Sequence, residues 1–321
     1  MWKFIIRRFL VMIPQLFILS LIVFALAKAM PGDALSGREM NPKANPEENE
    51  RIREELGLND PWYQQYGRWV TNAVQGDFGI SYTHKTPVVD VIQERLGNTV
   101  LLAVVTFIFT YLLAIPMGIL SGRYEDSWLD KGIIGYSYIG FGTPIFIFAL
   151  IMLFVFGFSL DLFPTGGSVS SKVDEGTFAY MMSKLYHVIL PALSTALITT
   201  TSIIQYLRNE VIDNKIKDYV RTARSKGVPE AKIYSRHIFR NSFLPIAALL
   251  GYEITTLVSG SVIIETIYSY PGLGQLFLSS IGLRDFSVVT AIVLMLGFAT
   301  LIGTLISDII LSIVDPRIRI E

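Results

Sequence analysis

Cysteine is absent from the 321-residue chain, which removes a disulfide framework, a thiolate metal site and a cysteine nucleophile at once. Histidine is nearly as scarce. His84, His187 and His237 are the whole supply, and no two are spaced as a local ligand pair of the H-x-x-x-H kind, so the pattern argues against metal chemistry. The dipeptide Gly-Lys occurs nowhere, so the phosphate-cradling loop of a P-loop ATPase is missing. No G-x-S-x-G element supports an intramembrane serine hydrolase. Net charge is lacking too: 27 basic residues balance 27 acidic ones, which leaves no global attraction to nucleic acid.

What the chain does hold is apolar surface. Hydrophobic residues make up 51% and charged residues 17%, and a mean hydropathy of +0.48 is too high for a protein whose surface faces water. A bilayer is the expected solvent. Spanning its hydrocarbon core takes about 20 helical residues nearly free of charge. Six segments pass: Phe9 to Ala27, Thr99 to Leu120, Gly132 to Ser159, Tyr186 to Leu207, Phe243 to Ile267 and Val288 to Val314. The fifth is less clean, since it carries Glu253 and Glu265; the sixth holds Asp308 near its end. Lys3, Arg7 and Arg8 before the first run resemble a signal-peptide start, but the run is long and no small-residue cleavage site follows, so it reads as a retained helix.

Six crossings put both termini on one side. The stretch 208–242 decides which, because its nine basic residues face four acidic ones and basic loops stay inside. The expected organisation is therefore a cytoplasmic tail and first helix (1–30), an extracellular region (31–97), a membrane core (98–315) and a cytoplasmic tail (316–321). The fold class is an all-α integral membrane protein. Within 31–97, the acidic stretch Glu47 to Glu55 and the cluster Trp62, Tyr63, Tyr66 and Trp69 suggest a small cap or lateral helices at the outer surface. Pro14, Pro116, Pro144 and Pro191 allow kinks, and Gly132, Gly135, Gly140 and Gly142 form an expected close-packing stripe.

The most specific pattern lies in the basic loop. Asp218 suits a helix N-terminus, Gly227 can take the left-handed conformation that ends a helix, and Pro229 is pre-set for the first turn of the next. The expectation is helix, tight turn, helix on the cytoplasmic face. A docking element and a loop held against anionic headgroups both fit the charge, and composition leaves the two open. Depth arithmetic places Glu253 ten residues, about 15 Å, into the fifth span, near the midplane. A carboxylate there faces protein or a water-filled path. Pore-lining and structural readings stand side by side, with Gln205 and Ser259 as further candidate pore-lining residues and Thr199 to Ser202 and Thr255, Thr256 and Ser261 making polar faces plausible. Glu265 falls at the outer interface, where a structural role is the simpler reading.

The run Arg221-Thr222-Ala223-Arg224-Ser225-Lys226-Gly227 resembles the cytoplasmic motif of ABC importer permeases, in the form usual for the dipeptide and oligopeptide branch. Arg221 and Thr222 stand where the wider family has Glu and Ala. Further similar stretches are Gly76-Asp77-Phe78-Gly79 with Ser81, Glu94-Arg95-Leu96 with Asn98-Thr99, His187 to Pro191, Glu265 to Gly274 and Asp315-Pro316-Arg317, so the resemblance covers nearly the whole chain. It implies the type I ABC importer permease fold in a bacterial plasma membrane and import of oligopeptides or dipeptides, with nickel or glutathione as alternative cargo. It also implies a second homologous permease subunit, giving a heterodimer, two cytoplasmic ATP-binding subunits carrying ATP and magnesium, and an extracellular substrate-binding protein. No cofactor is expected on this chain, and no enzyme activity. The residues it assigns to coupling are Asp218, Arg221, Thr222, Ala223, Arg224, Gly227 and His237. An ion-coupled carrier, with Glu253 as proton site, is the competing class; it leaves the docking-like loop unexplained.

Overall fold

The computed structural model describes residues 2–29, 59–243 and 262–314, with the isolated positions 50, 51, 54, 57 and 246; side chains of 2–5 and 310–314 lie outside that description. Glu253, Ser259 and most of the fifth expected span also fall outside the described residues. Among those residues every extended element is helical, with one isolated bridge between Ile80 and Pro87.

Four helices are long and apolar enough to cross a membrane: α1 (Trp2–Ala29), α3 (Val88–Arg123), α6 (Phe178–Lys215) and α12 (Phe286–Val314). An amphipathic helix, α2 (Trp62–Val74), precedes α3. Its aromatic face meets α1: Tyr66 stacks edge-on against Phe17 and Phe24 and its hydroxyl lies 2.8 Å from Ser20 Oγ. The tyrosine and tryptophan cluster thus forms an amphipathic helix packed on α1.

The third expected span is not continuous. It divides into α4 (Trp128–Gly142) and α5 (Ile145–Met152), the latter running on as a π-type segment over Leu153–Ser159, and the two halves meet at 107°. Pro144 explains the break: its ring drives the preceding residue out of the helical region, and Thr143 is extended at φ −102°, ψ 115°. Thr143 Oγ1 donates to the Ile139 carbonyl at 2.7 Å, replacing part of the lost ladder. Pro14, Pro116 and Pro191 instead stay inside their helices. Beside Pro191, Ser194 Oγ donates to the Leu190 carbonyl and Thr195 Oγ1 to that of Pro191, so hydroxyls satisfy local backbone.

α3 and α6 pack along much of their length, and glycine makes that possible. A Cβ on Gly118 would sit 2.8 Å from Leu207 Cβ, and one on Gly122 would sit 2.7 Å from Val211 Cβ and 2.8 Å from the Arg208 carbonyl oxygen. Of the expected stripe on α4, Gly140 is pressed against Thr201, while Gly132, Gly135 and Gly142 meet no atom within 4 Å among the described residues. Burial of Tyr111, Ala114, Ile203, Ile204, Leu207 and Val211 builds the core between the two helices.

Polar groups gather at the two ends of the bundle. At one end, Asp130 is buried and receives both arms of Arg208, Nε to Oδ1 at 2.7 Å and Nη2 to Oδ2 at 2.8 Å, together with the Ser121 hydroxyl. Lys215 reaches Glu125 Oε2 at 2.5 Å and the Gly122 carbonyl at 3.3 Å. At the other end, α10 (Val262–Ile267), the following turn and α11 (Leu273–Gly282) sit against the start of α3.

Candidate functional site

The basic end carries the loop singled out by sequence. α6 closes at Lys215, and α7 (Asp218–Ser225) starts two residues later, too soon for the chain to swing away. Val220 and Ala223 are buried in the α3–α6 core, whereas Asp218, Arg221, Thr222 and Arg224 face out. The arrangement is a short amphipathic helix fixed by its apolar side, with its polar side exposed.

Gly227 ends α7 as the sequence predicts. Its φ is +72°, its N–H donates to the Arg224 carbonyl at 2.9 Å, and the next N–H, of Val228, donates to Ala223 at 3.2 Å. This pair of bonds is a Schellman closure, in which left-handed backbone at the residue after the cap lets two orphan carbonyls find donors. Val228 packs on the same core as Ala223, which supplies the apolar contact the motif carries. Pro229 then caps α8 (Glu230–Lys232), which continues through a π-type segment (Ile233–Ile238) into α9 (Phe239–Ser242). Ile233, Tyr234 and Ile238 are buried below, and Arg123 at the end of α3 lies 4.8 Å over the Tyr234 ring. His237 is half-buried in the π-type segment; its carbonyl accepts from Asn241 Nδ2 at 2.7 Å.

One pairing was illegible in the sequence. Arg224 bridges the turn to Glu230, with Nε 2.7 Å from Oε1. That guanidinium holds the Glu230 carboxyl below its ordinary range, against the opposing but smaller effect of burial. Arg224 is therefore part of the turn as well as of the exposed charge. Arg221, by contrast, is only 3.8 Å from Asp218 and largely exposed.

At the far end, Glu265 is wholly buried. Its Oε1 accepts from Thr99 Oγ1 at 2.9 Å and its Oε2 from the Gln275 N–H at 2.9 Å, while Thr99 Oγ1 accepts from the Leu273 N–H at 2.7 Å. Leu273 and Gln275 lie in the first turn of α11, whose cap residue Gly272 has no side chain to offer. Two other elements thus satisfy the orphan donors of that helix. A Cβ on Gly272 would sit 2.4 Å from the Glu265 carboxyl, so the glycine makes room for it. Asn98 Nδ2 donates to the Pro271 carbonyl at 2.9 Å, and Asp285 accepts from Ser81 and from the Thr83 N–H, joining the 76–87 segment to the start of α12.

Of the candidate pore residues, Gln205 is half-buried on α6 and its Nε2 is buried with no hydrogen-bond partner among the described residues. It lies roughly one turn from the Arg208–Asp130 pair along α6.

Helices of this length and apolarity, an amphipathic helix packed on the first and a closed helical turn at one end define an all-α chain of the membrane-spanning class. A family model described as the binding-protein-dependent transport system inner membrane component matches residues 114–320, and one for the N-terminal part of such membrane components matches residues 1–103. The chain belongs to this family. The oligopeptide transport system permease protein AppB of Bacillus subtilis (strain 168) is 40% identical over 320 residues, spanning 99% of this chain and 100% of AppB. The glutathione transport system permease protein GsiC of Escherichia coli (strain K12) is 30% identical over 319 residues, 99% of each chain. Among solved structures, the MetNI methionine ABC transporter in inward facing conformations matches with a TM-score of 0.55 at 14% identity, over 70% of this chain and 96% of that one. The fold is that of a type I ABC importer permease.

Proposed function

We propose that this chain is one pore-forming subunit of an ATP-driven, binding-protein-dependent importer of peptides in a bacterial plasma membrane. A second permease of the same kind completes the pore, separate cytoplasmic subunits bind and hydrolyse ATP with magnesium, and an external binding protein delivers the cargo. Both termini are cytoplasmic in this reading. Full-length similarity to AppB supports the cargo class. Glutathione, itself a short peptide, is favoured as the alternative by the similarity to GsiC.

The observation that carries the coupling role is the closed turn at Gly227. It holds α7 with Val220 and Ala223 inward and Asp218, Arg221 and Thr222 outward, while a lipid-contact loop needs only charge and no fixed orientation. Closure of the ATP-binding subunits would press on this surface, and the burial of its apolar side would pass the displacement to α6.

Gly227→Val tests the assignment. A β-branched side chain in left-handed backbone costs about 1–2 kcal/mol, enough to re-aim a one-turn element while sparing the distant helices. The expected protein inserts and folds, yet loses uptake and either releases its ATPase subunits or no longer has their hydrolysis stimulated by loaded binding protein. Arg240→Glu, on an exposed residue outside the turn, is the charge control. Normal transport by Gly227→Val alongside a defect in Arg240→Glu alone would assign the loop to lipid contact instead.

A further inference from the structure

The outward surfaces of the spanning helices differ in kind. On α3 the exposed line is Val100, Val104, Ile108 and Leu112, each at least 40% accessible, and α1 shows Phe9, Ile13 and Phe17. On α6 the residues at the same helical spacing are Thr195, Thr199, Ser202, Tyr206 and Asn209; the first two are half-buried and the last three exposed. Steps of four, three, four and three keep all five within one narrow arc of the helix. Thr195 and Thr199 return their hydroxyls to carbonyls one turn back, at 3.0 Å each. Ser202, Tyr206 and Asn209 make no side-chain hydrogen bond among the described residues. Asn209 lies just past the expected end of the span at Leu207, but hydrocarbon does not accommodate the unpaired hydroxyls of Ser202 and Tyr206 within it, since such groups face water or another polar surface when they occur in a spanning helix.

We infer that this line is a water-exposed track on which translocating peptide is met through its main chain. The inference rests on the importer reading above and specifies what the pore offers its cargo. Every group on the line is uncharged. Hydroxyls and a carboxamide both donate and accept, so they match the alternating N–H and C=O groups of any peptide and give no side chain a charged partner. From Thr195 to Asn209 the helix rises about 21 Å, the length of about six residues of extended chain. Such a surface passes peptides of different sequence without trapping one of them, and leaves sequence selection to the binding protein.

The absence of cysteine makes the native chain a ready background. In the assembled transporter, Ser202→Cys and Tyr206→Cys are treated with a membrane-impermeant thiosulfonate, labelling being read on this chain alone, beside Val104→Cys and Ile108→Cys. Fast labelling of the first two and background labelling of the others is expected. Labelling of Ser202→Cys or Tyr206→Cys no faster than Ile108→Cys, or their capture in a cross-link to the second permease, would overturn the track. Main-chain recognition is read separately: Ser202→Ala with Asn209→Leu should lower maximal uptake of acidic, basic and apolar peptides by the same factor. A loss confined to one class of side chain would overturn it. If no peptide is transported even by the unsubstituted complex, the importer reading fails, and the labelling contrast still decides which surface meets water.

Discussion

Arg208 and Asp130 lie 78 positions apart and form the most buried ion pair described in this chain. In the sequence Arg208 contributed only to a count of inner basic charge, because the pairing of residues on different helices depends on the packing that brings them together. Gly118 and Gly122 seat α6 against α3, which carries Arg208 to within reach of the Asp130 carboxylate. Removing one member of such a pair leaves a buried charge alone, at a cost of about 3–5 kcal/mol. Asp130→Ala should therefore lower the thermal midpoint of detergent-solubilised protein far more than Asp218→Ala, whose side chain is almost fully exposed. Equal midpoints in a melting assay would remove the pair from the framework. Glu265 makes the same point at the opposite end: its place near the end of the fifth expected span was legible, its partners were not. Glu265→Ala strips an acceptor from the first turn of α11 and should cost about 1–3 kcal/mol, with limited proteolysis accelerated between Pro271 and Gly282. Unchanged proteolysis would show that Thr99 alone caps that helix.

At the scale of elements, the outcome turned on how local the governing physics is. The α7 turn was legible because left-handed backbone at Gly227 and the fixed φ of Pro229 act within a few residues. The third span read as one apolar segment in which Pro144 allows a kink; hydropathy counts apolar residues without regard to direction and does not give the 107° break, although the effect of Pro144 on Thr143 is equally local and marks it. Pro144→Ala permits a continuous helix but does not supply the partner surfaces that the bent form uses, so the bend should persist with reduced stability. Cysteines at Tyr138 and Phe154, measured by spin-label distance, would reveal straightening if it occurred. The Arg224–Glu230 bridge sets a pH expectation for the turn. Because Arg224 depresses the Glu230 pKa, its contribution is complete above the ordinary glutamate value of about 4.3 and is lost as pH falls through the lower folded value. Coupling between pH 6 and 8 should owe nothing to this bridge; a steep change there that disappears in Glu230→Gln would contradict the assignment.

For the whole molecule, charge asymmetry and apolar length were sufficient to foresee an all-helical membrane chain, since lipid leaves the backbone few alternatives. The two ends separate as the loop charges predict: the start of α3, α10 and α11 at one, and the ends of α3 and α6 with α7 to α9 at the other. An epitope near Glu50 should be reached by antibody from outside intact cells and one next to Lys226 only after permeabilisation; the reverse pattern would invert the orientation. Which side chains line the pore is not legible in the sequence, because polar residues in apolar runs identify a helix face without saying what stands opposite it.

α6 has a mechanical consequence. At 38 residues it is about 57 Å long, and its C-terminal tip is tied to α7 by the short link Ile216–Lys217 and by the Tyr219 hydroxyl, which donates to Asn214 Oδ1 at 2.7 Å. The surface proposed to receive force is therefore tied directly to the helical strut that carries the line of polar groups proposed to touch cargo. No relay of side chains between two separate bodies is required. A lateral push on α7 becomes a tilt of the strut about its glycine-lined seat on α3, and the lever arm, set by where Gly118 and Gly122 fall along it, fixes how far the cargo-facing part swings for a given stroke. Filling that seat with a bulkier residue would move the fulcrum and change the gearing of transport rather than only its strength.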